Sequence, residues 1–235
     1  MKIEDINVPL DSQKIEAAVQ NEETIEIVSY ALYRGIEEYV NNLLTVFLTA
    51  CKQEDLLSSM SYSSGELLAN ANKANAKRVY FQEKGLDINN PEDYKHGMVT
   101  FSAETTVNKE HYQRLQKEQD LYIKYLLSIK NNVITLEVVN KSVLTETEKA
   151  RIQGKMESAR KYNSMEDALT DIDRTEGSGL GLIIIILMLK QLGIKKECLQ
   201  VEGDEIETRA RIVIPIDEIV PPSTNFGLEE DLECI

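Results

Sequence analysis

Glu176-Gly177-Ser178-Gly179-Leu180-Gly181-Leu182, running into an apolar stretch that ends at Leu192, is the most decisive segment of the chain. Glycines let a backbone approach a ligand closely. A helix starting just after them offers unpaired N–H groups and the positive end of its dipole to a phosphate. The spacing is G-x-G-x-G, which is neither the dinucleotide fingerprint G-x-G-x-x-G nor the Walker A pattern. The preceding Asp171-Ile172-Asp173-Arg174-Thr175 does not read as a strand. A flexible loop at a helix start, binding nothing, has the same residue types.

A second segment, Glu66-Leu67-Leu68-Ala69-Asn70-Ala71-Asn72-Lys73-Ala74-Asn75, lies far upstream. On a helix, positions 66, 70 and 73 stand at i, i+4 and i+7, so a carboxylate, an amide and an ammonium share one face. Leu67, Leu68, Ala71 and Ala74 occupy the neighbouring face and suit packing on a sheet. The polar set fits a triphosphate. The Asn70 carbonyl oxygen can ligate Mg²⁺, a hard cation that prefers oxygen ligands and substrate phosphates. Lys73 can meet phosphate as a point charge, and Glu66 can orient or deprotonate a water. A solvated face of an amphipathic helix is the plainer alternative.

Outward from these segments, residues 1–20 carry no strong pattern. Residues 23–51 read as one long amphipathic helix on Ile27, Tyr30, Ile36, Val40, Leu43, Leu44, Phe47 and Leu48, weakened at Gly35. The Glu66 helix is expected from Ser63 or Ser64, as N-cap, to about Lys77, with Arg78-Val79-Tyr80-Phe81 as a short strand. Residues 84–120 are polar and irregular, with a helical stretch over 108–119. A hairpin follows: 122–129, a turn at Asn131-Asn132, then 133–139. Residues 141–176 are rich in Lys, Glu, Ser, Thr and Asp, with weak helical patterning. After the apolar helix at 182–192 come strands at 198–202 and 208–216, and residues 221–235 read as a loosely held acidic tail. This order of elements predicts an α/β sandwich with helices on one face of a mixed sheet.

The 235 residues hold 26 Lys and Arg against 40 Asp and Glu, a formal charge of −14. That balance argues against a nucleic-acid partner, which would call for a basic face. No signal-peptide or membrane-length apolar run is read; the longest, Leu180 to Leu189, is about half a membrane span. Cys51, Cys198 and Cys234 are widely spaced, with no Cys-x-x-Cys pair, and read as reduced thiols in a cytoplasmic protein. His-x-x-x-His, Cys/His clusters and G-x-S-x-G are absent, so zinc hydrolysis and elbow-type serine hydrolysis lack their residues.

Taken together, the Glu-x-x-x-Asn helix, the later hairpin, the polar stretch and Gly-x-Gly-Leu-Gly-Leu resemble the GHKL ATPases. That superfamily comprises sensor histidine kinases, anti-sigma serine kinases, the gyrase and mismatch-repair ATPases and a heat-shock chaperone. The resemblance covers roughly residues 60–216. It implies a two-layer, Bergerat-type sandwich on a mostly antiparallel sheet. The implied division is an N-terminal helical segment (1–58), an ATP-binding domain (59–220) with an insertion at 84–120 and an ATP lid at 141–176, and the tail. It also implies ATP and Mg²⁺ as ligands. Glu66 would be the catalytic or water-positioning residue, Asn70 the magnesium ligand and Lys73 a phosphate contact. Gly177, Ser178, Gly179, Leu180 and Gly181 would form the turn around the phosphates, and Thr208 would help hold adenine.

Two departures from the family pattern matter. The family's Asp-x-Gly-x-Gly segment, whose Asp accepts a hydrogen bond from the adenine amino group, is replaced by Asn140-Lys141-Ser142-Val143-Leu144. An Asn oxygen can still accept that bond, whereas the missing glycines imply a stiffer lid hinge. No histidine precedes the Glu66 helix; His96 and His111 both fall in 84–120, where His111 reads as a surface residue. Autophosphorylation of an upstream helical histidine is thereby excluded. The expected function is Mg-ATP binding in cytoplasmic signalling, with hydrolysis or phosphotransfer to a partner's His or Ser/Thr. The alternatives are an ATP-gated binding module and a scaffold without nucleotide. The helix expected at 23–51 packs within its own chain or pairs with a second copy.

Overall fold

The computed structural model describes residues 1–3, 6, 8–32, 34–162, 164, 166–168, 180–194 and 198–219. Within these, β1 (Lys2–Ile3), α1 (Ser12–Gln20), β2 (Ile25–Ser29) and α2 (Arg34–Ala50) come first. They are followed by α3 (Leu57–Glu83), α4 (Pro91–Val107), α5 (Lys109–Glu118), β3 (Ile123–Lys130) and β4 (Val133–Asn140). The chain continues through α6 (Glu146–Lys161), α7 (Leu180–Gln191), β5 (Leu199–Gly203) and β6 (Thr208–Pro215). The strands form one six-stranded sheet in the order β1-β2-β3-β4-β6-β5. Only β1 and β2 are parallel; every other pairing is antiparallel. This is the mixed α/β architecture expected from the order of elements.

The sheet is two-faced because its strands alternate. On β3, Ile123, Tyr125 and Leu127 are buried while Lys124, Leu126 and Ser128 are partly open. On β4 the buried Leu136 and Val138 flank Glu137, which faces Arg211 and Arg209 on the other side. The inward residues join one core with Leu43 and Phe47 of α2, Leu67 and Leu68 of α3, and Ile183 and Ile186 of α7. Asn131 and Asn132 both take positive φ, at 49° and 61°. That geometry fits a two-residue type I′ turn, which suits the twist of the flanking strands. The hairpin is therefore where the sequence places it, with β3 shifted by one residue and β4 one residue longer at its C-terminal end.

Three expectations are corrected. Residues 23–51 are not one helix: β2 occupies its start, and only Arg34–Ala50 is helical. Ile25-Glu26-Ile27-Val28 is β-branched and alternating, and Ile25 and Ile27 register against Leu127 and Tyr125 on β3. The N-terminal segment is thus not a separate helical unit, since β1 and β2 extend the same sheet and core. The apolar stripe of α2, from Ile36 to Leu48, is buried within its own chain rather than left for a second copy.

Second, the Glu66 helix does not start at Ser63 or Ser64. α3 starts at Leu57, and both serines are buried inside it, with Ser64 Oγ 3.1 Å from the Tyr125 hydroxyl. Nor is Arg78-Val79-Tyr80-Phe81 a strand; it carries α3 on to Glu83. Val79, Tyr80 and Phe81 are all buried, because α4 and α5 cover them with Phe101 and Tyr112 in a second small core. Tertiary cover overrides the local β preference of these residues.

Third, residues 84–120 are ordered into α4 and α5. Asn90 caps α4 by accepting from the Glu92 and Asp93 amides, and Pro91 sits at its first turn. The polar stretch after β4 also holds a full helix, α6, opened by a reciprocal capping box between Thr145 and Glu148. The acidic tail, 221–235, lies outside the described residues. Among the described residues, no helix is long and apolar enough to cross a membrane.

Candidate functional site

A cavity of about 350 Å³ opens between α3, the ends of β4 and β6, and α6. Its walls carry Asn70 and Lys73 from α3, Asn140 from the last position of β4, and Thr208 from the first position of β6. Asn140 and Thr208 are register partners across the sheet, so strand pairing alone sets them side by side. Four of the residues singled out in the sequence, spread over more than half of the chain, thus line one space.

The α3 face behaves as its spacing predicts. Asn70 Nδ2 donates to Glu66 Oε1 at 3.0 Å, one helical turn away. That bond engages the amide nitrogen and leaves the Asn70 carbonyl oxygen for a cation. Glu66 itself does not line the cavity; it lies beside it, against Gly181 of α7. A β-carbon on Gly181 would collide with the Glu66 carboxyl, so glycine there lets the Glu66 side chain lie close against α7. Leu180 opens α7, and Leu182 reaches the cavity wall. Gly177, Ser178 and Gly179 lie outside the described residues.

The floor of the cavity is a polar network that the motifs did not reveal. Asn75, fully buried on α3, donates from Nδ2 to the Leu121 and Tyr122 carbonyls at 2.9 and 3.1 Å. Its Oδ1 accepts from Asn140 Nδ2 at 3.3 Å. The second proton of Asn140 Nδ2 goes to Ser142 Oγ at 2.6 Å, and Thr208 Oγ1 donates to the Ser142 carbonyl at 2.6 Å. The triple asparagine of α3, at 70, 72 and 75, was the available hint; its partners lie too far away in sequence to be read from it.

The electrostatics oppose those of the whole chain. Lys73, Lys77, Arg151 and Lys155 line the cavity against one carboxylate, Glu148. Lys77 and Arg78 hold that carboxylate, at 2.8 Å from Lys77 Nζ and 2.6 Å from Arg78 Nη2, which ties the start of α6 to α3. Burial would raise the Glu148 carboxyl, but Arg78 and Lys77 outweigh it and hold it at about 2. Arg151 donates to the Tyr94 hydroxyl at 3.1 Å. Among the described residues Lys73 and Lys155 make no ion pair, so two ammonium groups face the cavity without a carboxylate. A space lined by four cationic side chains, one carboxylate and neutral amides suits an anionic ligand.

His111 is on the surface of α5, away from this space. Its Nε2 stands 2.6 Å from Glu83 Oε1 and its Nδ1 3.1 Å from Arg114 Nη2. That hydrogen bond holds the Glu83 carboxyl below its ordinary range. Neither Cys51 nor Cys198 is in a disulfide, and burial pushes Cys51 up to about 11, so it is not a reactive thiolate.

No family model and no solved structure matches the chain. It is 38% identical over 212 residues to a protein of Treponema pallidum (strain Nichols) that bears only the description "Uncharacterized protein". The match takes in 90% of this chain and 41% of that relative, so the chain spans less than half of the relative's length.

Proposed function

We propose that the cavity binds Mg-ATP in a histidine-kinase-like, GHKL-type fold, and that bound nucleotide serves hydrolysis or phosphotransfer to a partner protein. The observation that carries this reading is the meeting of Asn70, Lys73, Asn140 and Thr208 around one cavity. Helical spacing selects Asn70 and Lys73, and the GHKL resemblance selects Asn140 and Thr208. A pocket of this size lies at the low end of the range of roughly 300–1,000 Å³ typical of small-molecule sites. It suits the base and sugar, with the phosphates running toward the Lys73 and Lys155 ammoniums. The donor set suits magnesium as well, since Mg²⁺ commonly takes few protein oxygens and completes its shell with phosphate and water. When bound, Mg²⁺ would neutralise charge on the phosphates. On this reading Glu66, which accepts from Asn70 beside the cavity, would orient or deprotonate the attacking group.

Thermal denaturation with and without Mg-ATP tests the binding, because a ligand that binds only the folded state must raise apparent stability. The shift should be present in the native chain and lost in Asn70→Ala. A native chain indifferent to Mg-ATP at millimolar concentration would overturn the proposal. Turnover unaffected by Glu66→Ala would remove the catalytic half and leave the binding.

The second reading, an ATP-gated binding module, is favoured by one observation. The first turn of α6 is locked to α3 through Glu148, and Arg151 and Lys155 of the same helix line the cavity. Nucleotide there would bear directly on the order of the 141–176 segment, a known switching mode. Hydrogen exchange along α6 that slows with ATP, in the absence of turnover, would select this reading.

A further inference from the structure

We infer that Asn75, acting through Asn140, makes the cavity select a 6-amino purine over a 6-oxo purine; this rests on the nucleotide reading above. The argument is one of donor and acceptor inventory. A carboxamide has one donating and one accepting end of nearly equal size, so Asn140 alone could present either to a ligand. An aspartate in its place would present only acceptors. Which end the cavity sees is decided by what fixes the amide from behind.

Asn75 fixes it. Backbone carbonyls can only accept, so the Leu121 and Tyr122 carbonyls require the Nδ2 end of Asn75. Its Oδ1 is then the end that faces Asn140, which must answer with Nδ2. Ser142 Oγ takes the other Nδ2 proton. Both donors of Asn140 are consumed, and its Oδ1 takes no hydrogen bond among the described residues. The group left for the cavity is an acceptor, and the exocyclic amine at position 6 of adenine supplies the matching donor. A 6-oxo purine would set one oxygen against another in a site where Asn140 is 4% exposed. Asn75 is fully buried and absent from the cavity wall, so it is a positioning residue and does not touch the ligand.

ATP and ITP differ at this edge and share sugar, phosphates and charge, so they are the probes. Calorimetric titration of the native chain with each, in excess Mg²⁺, should favour ATP by about tenfold or more, the usual effect of leaving one buried acceptor unmatched. Asn75→Ala frees the amide to turn, and the ratio should fall to within about threefold. Adding Asn140→Asp to Asn75→Ala should restore the preference, because a carboxylate accepts on either oxygen. That rescue is not expected of a residue with a merely structural role. Ser142→Ala removes the other acceptor without disturbing the two carbonyls; it should lower the ratio in the same direction and carries the test if Asn75→Ala does not fold. Equal affinity for ATP and ITP in the native chain, or an unchanged ratio in the variants, overturns the inference and leaves nucleotide binding intact. Binding of neither probe overturns both.

Discussion

A β-carbon on Gly181 would stand 1.9 Å from Glu66 Cδ and 2.0 Å from its Oε1, so the carboxyl arm of α3 occupies the space that a side chain on α7 would need. The atoms in conflict are the far end of a flexible chain, so Gly181→Ala should displace Glu66 rather than unfold the protein. Replacing a helical glycine by alanine gains about 0.5–1 kcal/mol, which offsets most of the disturbance. The expected result is a melting temperature close to that of the native chain. Mg-ATP turnover should fall by about tenfold or more, since an acid–base group out of position loses much of its effect. Paired melting and steady-state assays check it; turnover retained in a folded variant would detach Glu66 from the chemistry.

Lys73 and Asn140 should fail in different ways. Lys73 offers an ammonium on the exposed face of α3, whereas Asn140 is buried at the end of β4. Lys73→Met should weaken ATP by roughly tenfold, the scale of one charge-assisted hydrogen bond, and leave adenosine unchanged. Asn140→Leu should weaken both. Affinities for ATP and adenosine measured side by side distinguish these patterns, and equal losses in the two variants would remove the assignment of a phosphate end and a base end.

Glu148 makes stability depend on acid. Its folded carboxyl lies at about 2, well below the unfolded value, so it contributes stability above about pH 4.5 that is lost as pH falls toward 2. The difference corresponds to on the order of 3 kcal/mol. Glu148→Gln should lower stability at neutral pH by about 3 kcal/mol, because Lys77 and Arg78 would keep their charge without a counter-ion. Denaturant midpoints between pH 5 and 2 should fall less steeply in the variant than in the native chain. Parallel slopes would contradict the assignment.

What the sequence revealed and what it hid follow from the range of the interactions involved. The Asn131-Asn132 hairpin and the 66/70/73 face depend on neighbours within a few residues, and both appear where spacing puts them. β2 was hidden because its alternating Ile25 and Ile27 run almost directly into the apolar stripe of α2, and a single helical period spans the two. The extension of α3 through Tyr80 and Phe81 depends on cover from α4 and α5, which only the fold brings near. Asn75 and Ser142 were missed for the same reason. Asn75 lies 46 residues from its Leu121 partner and 65 from Asn140, and nothing local marks it.

Gly97 offers a test of that hidden packing. It is buried on α4, and a β-carbon there would stand 2.7 Å from Phe81 Cζ and 3.1 Å from Leu86 Cδ1. The Phe81 ring cannot simply swing aside, since Tyr80 packs against it at 5.7 Å and Tyr94 at 5.8 Å between ring centroids. Overpacking of this kind costs about 1–3 kcal/mol, against a gain of about 0.5–1 kcal/mol from alanine in a helix. Gly97→Ala should therefore lower the melting temperature by a few degrees, at about 2–4 °C per kcal/mol for a chain of this size. Gly154 on α6 has nothing within 4 Å of its would-be β-carbon, so Gly154→Ala should raise the melting temperature instead. The opposite signs are the prediction. If both variants were stabilised alike, α4 could not rest on Phe81, and the second core that continues α3 beyond Arg78 would have to be redrawn.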